Sequence, residues 1–178
     1  MENQQLDSII ERLASYNLFS YFFLALPDEK FVNKIMGLEF GKVADDGNLK
    51  GVKLIQQYIS GCRVKTLASV LQELAIDRTQ LLRGLTEDGP RPPYESLYLK
   101  LPPTDVMGSL NTIYAQADFA VSKDIRESSE QIGIELSFMK ELCDKELVAL
   151  KDGACREIID GLRQVQHDFL NQHLGRWA

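Results

Sequence analysis

The chain has 178 residues, 44% hydrophobic and 26% charged. That length predicts one soluble domain, 1–178, burying ~70% of its unfolded surface. The formal net charge of −6 argues against a nucleic-acid partner, since phosphate-backbone binding needs clustered Lys and Arg. No apolar run reaches the ~18 residues that span a bilayer, and Met1-Glu2-Asn3-Gln4-Gln5 lacks the basic start of a secretory signal, so a cytoplasmic protein without membrane insertion is expected.

Leu6, Ile9, Ile10, Leu13, Tyr16 and Phe19 or Ser20 recur at helical spacing. From Leu18 to Leu24 the chain is apolar almost all round, predicting a helix buried on most sides. Pro27-Asp28-Glu29 reads as the next helix start, with carboxylates at the positive end of the dipole. That helix carries Phe31, Ile35 and Met36 and fades from Gly37 to Gly41. Asp45-Asp46-Gly47-Asn48 has turn chemistry. A third helix is expected over Leu49–Ile59, ending at Gly61, and a long fourth from Leu67 to Leu85, bent near Ile76-Asp77. Thr86-Glu87-Asp88-Gly89 is the loop that follows.

Five of the six prolines then fall between 90 and 103. Pro92-Pro93 imposes an extended approach and removes two backbone donors. Pro93 suits the first position of a short helix. Tyr94, Leu97, Tyr98 and Leu101 follow at i, i+3, i+4, i+7 as one apolar-aromatic face, with Glu95 and Ser96 pointing off it. Pro102-Pro103 ends the element, because the residue before a proline is pushed out of the α region. The stretch 89–103 reads as a rigid hinge between helical halves. Its tyrosines serve either the core or a binding face.

Beyond it, Val106, Leu110, Ile113, Tyr114 and Ala117 sketch another helix. Ser128 with Gln131 makes a candidate capping box for a helix carrying Ile132, Leu136, Met139, Cys143, Leu147 and Leu150, broken at Asp152-Gly153. A last helix runs from Ile158 to Trp177, on which His173 and Trp177, four apart, can stack. No run alternates long enough to be a strand. The predicted class is therefore all-α, a compact bundle of about seven or eight helices with a proline-rich hinge.

Glu135 lies on the apolar side of its helix, between Met139 and Leu142. It must find donors or accept a proton, because an unpaired buried charge is costly. Tyr94, Ser96 and Tyr98 are the donors the sequence offers, in either a closed core network or a ligand contact. His167 and His173 are six apart and cannot share a metal ion, and no H-E-x-x-H, G-x-S-x-G or phosphate-loop motif occurs. Cys62, Cys143 and Cys155 are odd in number and scattered, as in a reducing compartment. No acid, base or nucleophile constellation emerges, so no enzyme, no metal and no cofactor are expected.

The stretch Pro92-Pro93-Tyr94-Glu95-Ser96-Leu97-Tyr98-Leu99 closely resembles the P-P-Y-E-S-V-Y-L signature of the TorD/DmsD/NarJ-type redox enzyme maturation chaperones. Thr79-Gln80-Leu81-Leu82-Arg83-Gly84 resembles their T-R-L-F-x-G, with Gln80 for Arg and Leu82 for Phe. Ser129 to Met139 resembles P-D-H-I-x-x-E-L-x-F-M, with Ser129 for Pro, Glu130 for Asp and Gln131 for His. His173-Leu174-Gly175-Arg176-Trp177 is similar to H-L-x-x-W, after which family members usually continue, so a missing C-terminal segment is expected.

The resemblance implies an all-helical, non-catalytic chaperone. Such a chaperone holds the cytoplasmic precursor of a molybdopterin oxidoreductase, often by its twin-arginine leader, and delays export until the cofactor is inserted. It places Pro93, Tyr94, Glu95, Ser96, Tyr98, Glu130, Gln131, Glu135 and Phe138 at the client-binding region, with His173 and Trp177 as a structural motif. Gln131 cannot gain charge near neutral pH as the family His could. Glu130 and nearby acids are expected to meet the leader's arginines, with Tyr94, Tyr98 and Phe138 lining an apolar groove. The alternatives are a guanine-nucleotide or molybdenum-cofactor accessory protein, with weak nucleotide binding, and a structural helical subunit of a redox complex. Either a monomer or a domain-swapped oligomer is compatible.

Overall fold

The computed structural model describes residues 2–37, 50–84 and 91–178. The loops expected at 45–48 and 86–89, and the ends of the flanking helices at Leu49 and Leu85, lie outside the described residues. The chain is all-α, as its periodicity predicts. It divides into two compact units, Met1–Leu24 with Pro92–Ala178, and Ala25–Arg91.

The second unit contains α2 (Glu29–Met36), α3 (Lys50–Cys62) and α4 (Leu67–Arg83). α2 starts where the sequence says, because the Asp28 carboxylate accepts the Phe31 N–H at 2.7 Å. Thr66 caps α4 in the same way through Ser69 N–H. Gly84 ends α4 in the left-handed region, φ 58°, and returns its N–H to Gln80 O. This is the glycine of the T-x-L-x-x-G stretch, and its role is backbone conformation. Among the described residues, Val32, Cys62 and Val70 form one cluster of this unit's core, with Tyr58, Leu71 and Leu74 against it. α3 runs through Gly61 to Cys62, rather than stopping at Gly61.

The larger unit holds α1 (Glu2–Leu24), α5 (Glu95–Leu99), α6 (Pro103–Gln116), α7 (Ile132–Lys151), α8 (Arg156–Gln172) and α9 (Leu174–Trp177). α7 is the central element, packed by α1 and α8 and burying Ile134, Phe138, Met139 and Leu142 among others. Phe138 meets Tyr114 and Phe169, each with ring centroids 4.8 Å away. Such edge and tilted pairs add to the area each ring buries. The apolar end of α1 is less buried than its composition predicts. Tyr21 to Leu24 are half-buried and Phe19 is exposed. Gly133 lets α1 approach α7: a Cβ there would lie 2.7 Å from Leu24 Cγ and 2.8 Å from Phe23 Cβ. Gly133→Ala therefore overpacks this contact and should cost roughly 1–3 kcal/mol, read as a lower urea midpoint at unchanged slope.

Two expected boundaries move. α7 opens at Ile132, with Gln131 itself as the cap: its side-chain oxygen accepts Gly133 N–H at 2.6 Å. Ser128 is not the first half of a capping box, because residues around Gln131 are held extended by an antiparallel bridge to Tyr94. The last helix is also interrupted. His173 leaves the helical region, φ −126° and ψ −98°, separating α8 from α9. That break turns the last turn back onto α5.

Candidate functional site

The proline-bounded stretch is clamped from three sides. Pro92-Pro93 delivers the chain extended to Tyr94, which sits at the N-cap of α5, φ −121° and ψ 129°. In that conformation it pairs with the strand-like end of the segment before α7. Glu95 N–H donates to Glu130 O at 3.1 Å, and Ile132 N–H to Pro93 O at 3.0 Å. The Glu130 carboxylate then accepts Ser96 N–H at 2.8 Å in a buried position. A helix start needs acceptors for its first N–H groups, and Glu130 supplies one across 34 residues of chain. Tyr94 donates its hydroxyl to Glu127 at 2.7 Å.

Of the two readings the sequence leaves open, packing turns the side of Leu97, Tyr98 and Leu101 outward. Glu95 and Ser96 are the buried side chains. Leu97, Tyr98 and Leu101 are 45%, 39% and 43% exposed. Glu95 goes inward because a partner waits there: His173 Nδ1 lies 3.0 Å from its carboxylate, and His173 Nε2 lies 3.3 Å from Ser109 Oγ. A carboxylate only accepts, so Nδ1–H donates and Nε2 faces the hydroxyl. A cleft of about 480 Å³ opens beside this relay, with Leu101, Asp105, Ser109 and Arg176 in its wall. His173 stacks on Phe169, centroids 5.4 Å apart. Trp177 packs instead on Tyr98, at 5.3 Å. The two residues expected to stack on each other are separated by the break at His173.

Glu135 is fully buried. Its donor is the Trp177 indole N–H at 3.2 Å, a donor outside the set Tyr94, Ser96 and Tyr98 that the sequence offers. Its second oxygen and the Gln131 amide nitrogen have no hydrogen-bond partner among the described residues. Burial, reinforced by the Glu95 carboxylate, pushes the Glu135 pKa up to about 9, against the opposing Trp177 hydrogen bond. Glu135 is thus a neutral acid at physiological pH.

The structure therefore gathers Tyr94, Glu95, Ser96, Glu130, Gln131, Glu135, His173 and Trp177 around one joint, with Pro93 buried beneath it. It does not leave all of them accessible. Glu130 and Gln131 are buried and committed to caps. Phe138 is wholly enclosed in the aromatic core and lines no groove. What faces outward is Leu97, Tyr98 and Leu101, with Trp177 on Tyr98. Leu97, Leu101, Glu127 and Ser109 were not legible as site residues. In a five-residue helix, spacing does not say which face turns in.

The chain matches the nitrate reductase delta subunit family over residues 44–178, which takes in α3 to α9. It belongs to that family. No curated protein and no solved structure matches it. The nitrate reductase delta subunit family is a family of molybdoenzyme maturation chaperones, not of catalysts. The ordered motifs of the sequence agree with this membership. Among the described residues no group of His, Cys, Asp and Glu could hold a metal ion, and no helix is long and apolar enough to cross a membrane.

Proposed function

We propose that this member of the nitrate reductase delta subunit family binds the precursor of a molybdopterin oxidoreductase on the outward face of α5. It would act in the cytoplasm, holding the precursor until its cofactor is inserted and so delaying export. The observation that carries this reading is the exposed apolar group Leu97, Tyr98 and Leu101 on a short helix held from behind, its first backbone N–H groups by Glu130 and its Glu95 side chain by His173. A rigid apolar surface loses little entropy on binding. It suits the apolar stretch of a leader bound as an amphipathic helix.

A twin-arginine leader also presents two guanidiniums. Buried Glu130 is poorly placed for them. Among the described residues, Glu127, half-buried and bonded to Tyr94, and exposed Asp105 are carboxylates at the edges of this surface, and either can take an Arg as a charge-assisted pair. Leu97→Asp with Leu101→Asp should lower leader-peptide affinity at least about tenfold while leaving the melting temperature within a few degrees, because both side chains are exposed. Calorimetric titration of the twin-arginine leader peptides of the host's molybdoenzymes reads this directly. Unchanged affinity for the variant, or no binding of any leader by the folded protein, overturns the assignment.

A further inference from the structure

Far from α5 in sequence, a second cleft of about 530 Å³ is lined by Gln4, Gln5, Ser8, Ile9, Arg12 and Arg163, from α1 and α8. No carboxylate is among these residues, in a chain of net charge −6. Both guanidiniums rest on a single acid of α7, Glu146, which is wholly buried. Glu146 Oε2 lies 3.0 Å from Arg12 and Oε1 lies 2.6 Å from Arg163. Gln166 completes the support, accepting from Arg12 at 2.7 Å and donating to Glu146 at 2.8 Å.

Two guanidiniums therefore share one buried carboxylate. Because both heads touch the oxygens of one carboxyl group, they stand side by side. Each remains partly open, 39% exposed for Arg12 and 37% for Arg163. A guanidinium carries more N–H donors than these contacts use. A further acid, Asp160, is 3.9 Å from Arg163 and more than half exposed, a contact that solvent largely screens, and exposed Glu11 lines an adjoining cavity with Ser8 and Arg12. Gln4, Gln5 and Ser8 add neutral donors to the same wall.

We infer that this cleft is an oxyanion site that takes a phosphate group, with Arg12 and Arg163 as a paired clamp. A doubly charged tetrahedral anion can use two adjoining forks and the neutral donors together, whereas a single carboxylate is already satisfied by one fork. The buried Glu146–Gln166 pair orients both forks in advance, so little side-chain entropy is lost on binding. The phosphate belongs either to inorganic phosphate or to an organic phosphate ester, since the clamp reads the group they share.

The test uses the full chain and measures melting temperature against sodium phosphate and sodium chloride at equal ionic strength. A ligand selective for the native state raises apparent stability. Phosphate at about 10 mM should raise the melting temperature beyond chloride. Ser8→Asp places a negative charge in the cleft wall one turn from Arg12, leaves Glu146 and Gln166 in place, and should weaken phosphate at least about tenfold. Ser8→Asn should retain binding. Glycerol phosphate gives the second arm: tighter binding than inorganic phosphate assigns the site to an ester, and equal binding assigns it to the free anion. Equal shifts with phosphate and chloride, or a Ser8→Asp variant that responds like the parent, overturn the site.

Discussion

Glu135→Gln is expected to make the protein more stable, increasingly so as the pH rises. The carboxyl group has a folded pKa of about 9 against an ordinary value of 4.5. Between those values the folded chain holds a proton that the unfolded chain has released. Stability must therefore fall with rising pH across that window. Below pH 4.5 both states are protonated and the group contributes no pH dependence. By pH 7 the accumulated loss is on the order of 3 kcal/mol.

A neutral amide of the same shape carries no such proton and removes the slope. The Glu135→Gln variant and the parent should melt within a few degrees of each other near pH 4.5, and about 10–20 °C apart by pH 8. Parallel melting profiles across that range would show that Glu135 is ionised in the fold. The consequence for the joint is direct. A neutral Glu135 lets the buried carboxyls of Glu95 and Glu130 crowd around α5 with one fewer charge. It also keeps the Trp177 hydrogen bond that brings α9 onto Tyr98.

The second large effect is at Glu146. Burial alone would raise its pKa, but hydrogen bonds from Arg163 and Gln166 and the charge of Arg12 outweigh that and hold it below the usual carboxylate value. Glu146→Ala removes the acceptor shared by α1 and α8 and leaves Gln166 buried without its main partner. The cost should be roughly 3 kcal/mol. That is the lower end for breaking a buried pair, because both arginines can still reach water. Glu146→Gln keeps one acceptor and should lose about half as much.

Sign distinguishes this group from Glu135. A depressed carboxylate pKa contributes stability above pH 4.5 that is lost as pH falls through the folded value. The parent should therefore lose stability faster than Glu146→Gln on acidification. Urea midpoints at pH 7 and pH 3.5 check both statements. A Glu146→Ala midpoint equal to the parent's would mean that the three-helix network contributes nothing net.

The two acids pull the pH dependence of stability in opposite directions. One loses its contribution below pH 4.5 and the other penalises the fold above it. The pair also marks the two faces of the larger unit. Glu135 serves the joint that presents α5, and Glu146 serves the clamp between α1 and α8.

The helical class, the start of α2 at Asp28, the glycine end of α4 and the order of the family motifs are all legible in the residues alone. These are local facts. A cap bonds within three residues, and periodicity over the 20 residues of α7 defines one buried stripe without reference to anything else. The need for Glu135 to be paired or protonated is equally local, since its neighbours on the helix are apolar.

Which way the proline-bounded helix faces is settled only by packing. Five residues make little more than one turn, so Tyr94-Leu97-Tyr98-Leu101 and Glu95-Ser96 were equally regular stripes. The balance was set by partners far along the chain. His173, 78 residues from Glu95, draws the acid inward. Trp177, 42 residues from Glu135, supplies its donor. Arg12 reaches Glu146 across 134 residues. The energy of a buried polar group depends on which donor arrives beside it, and that is a property of the tertiary fold, not of spacing.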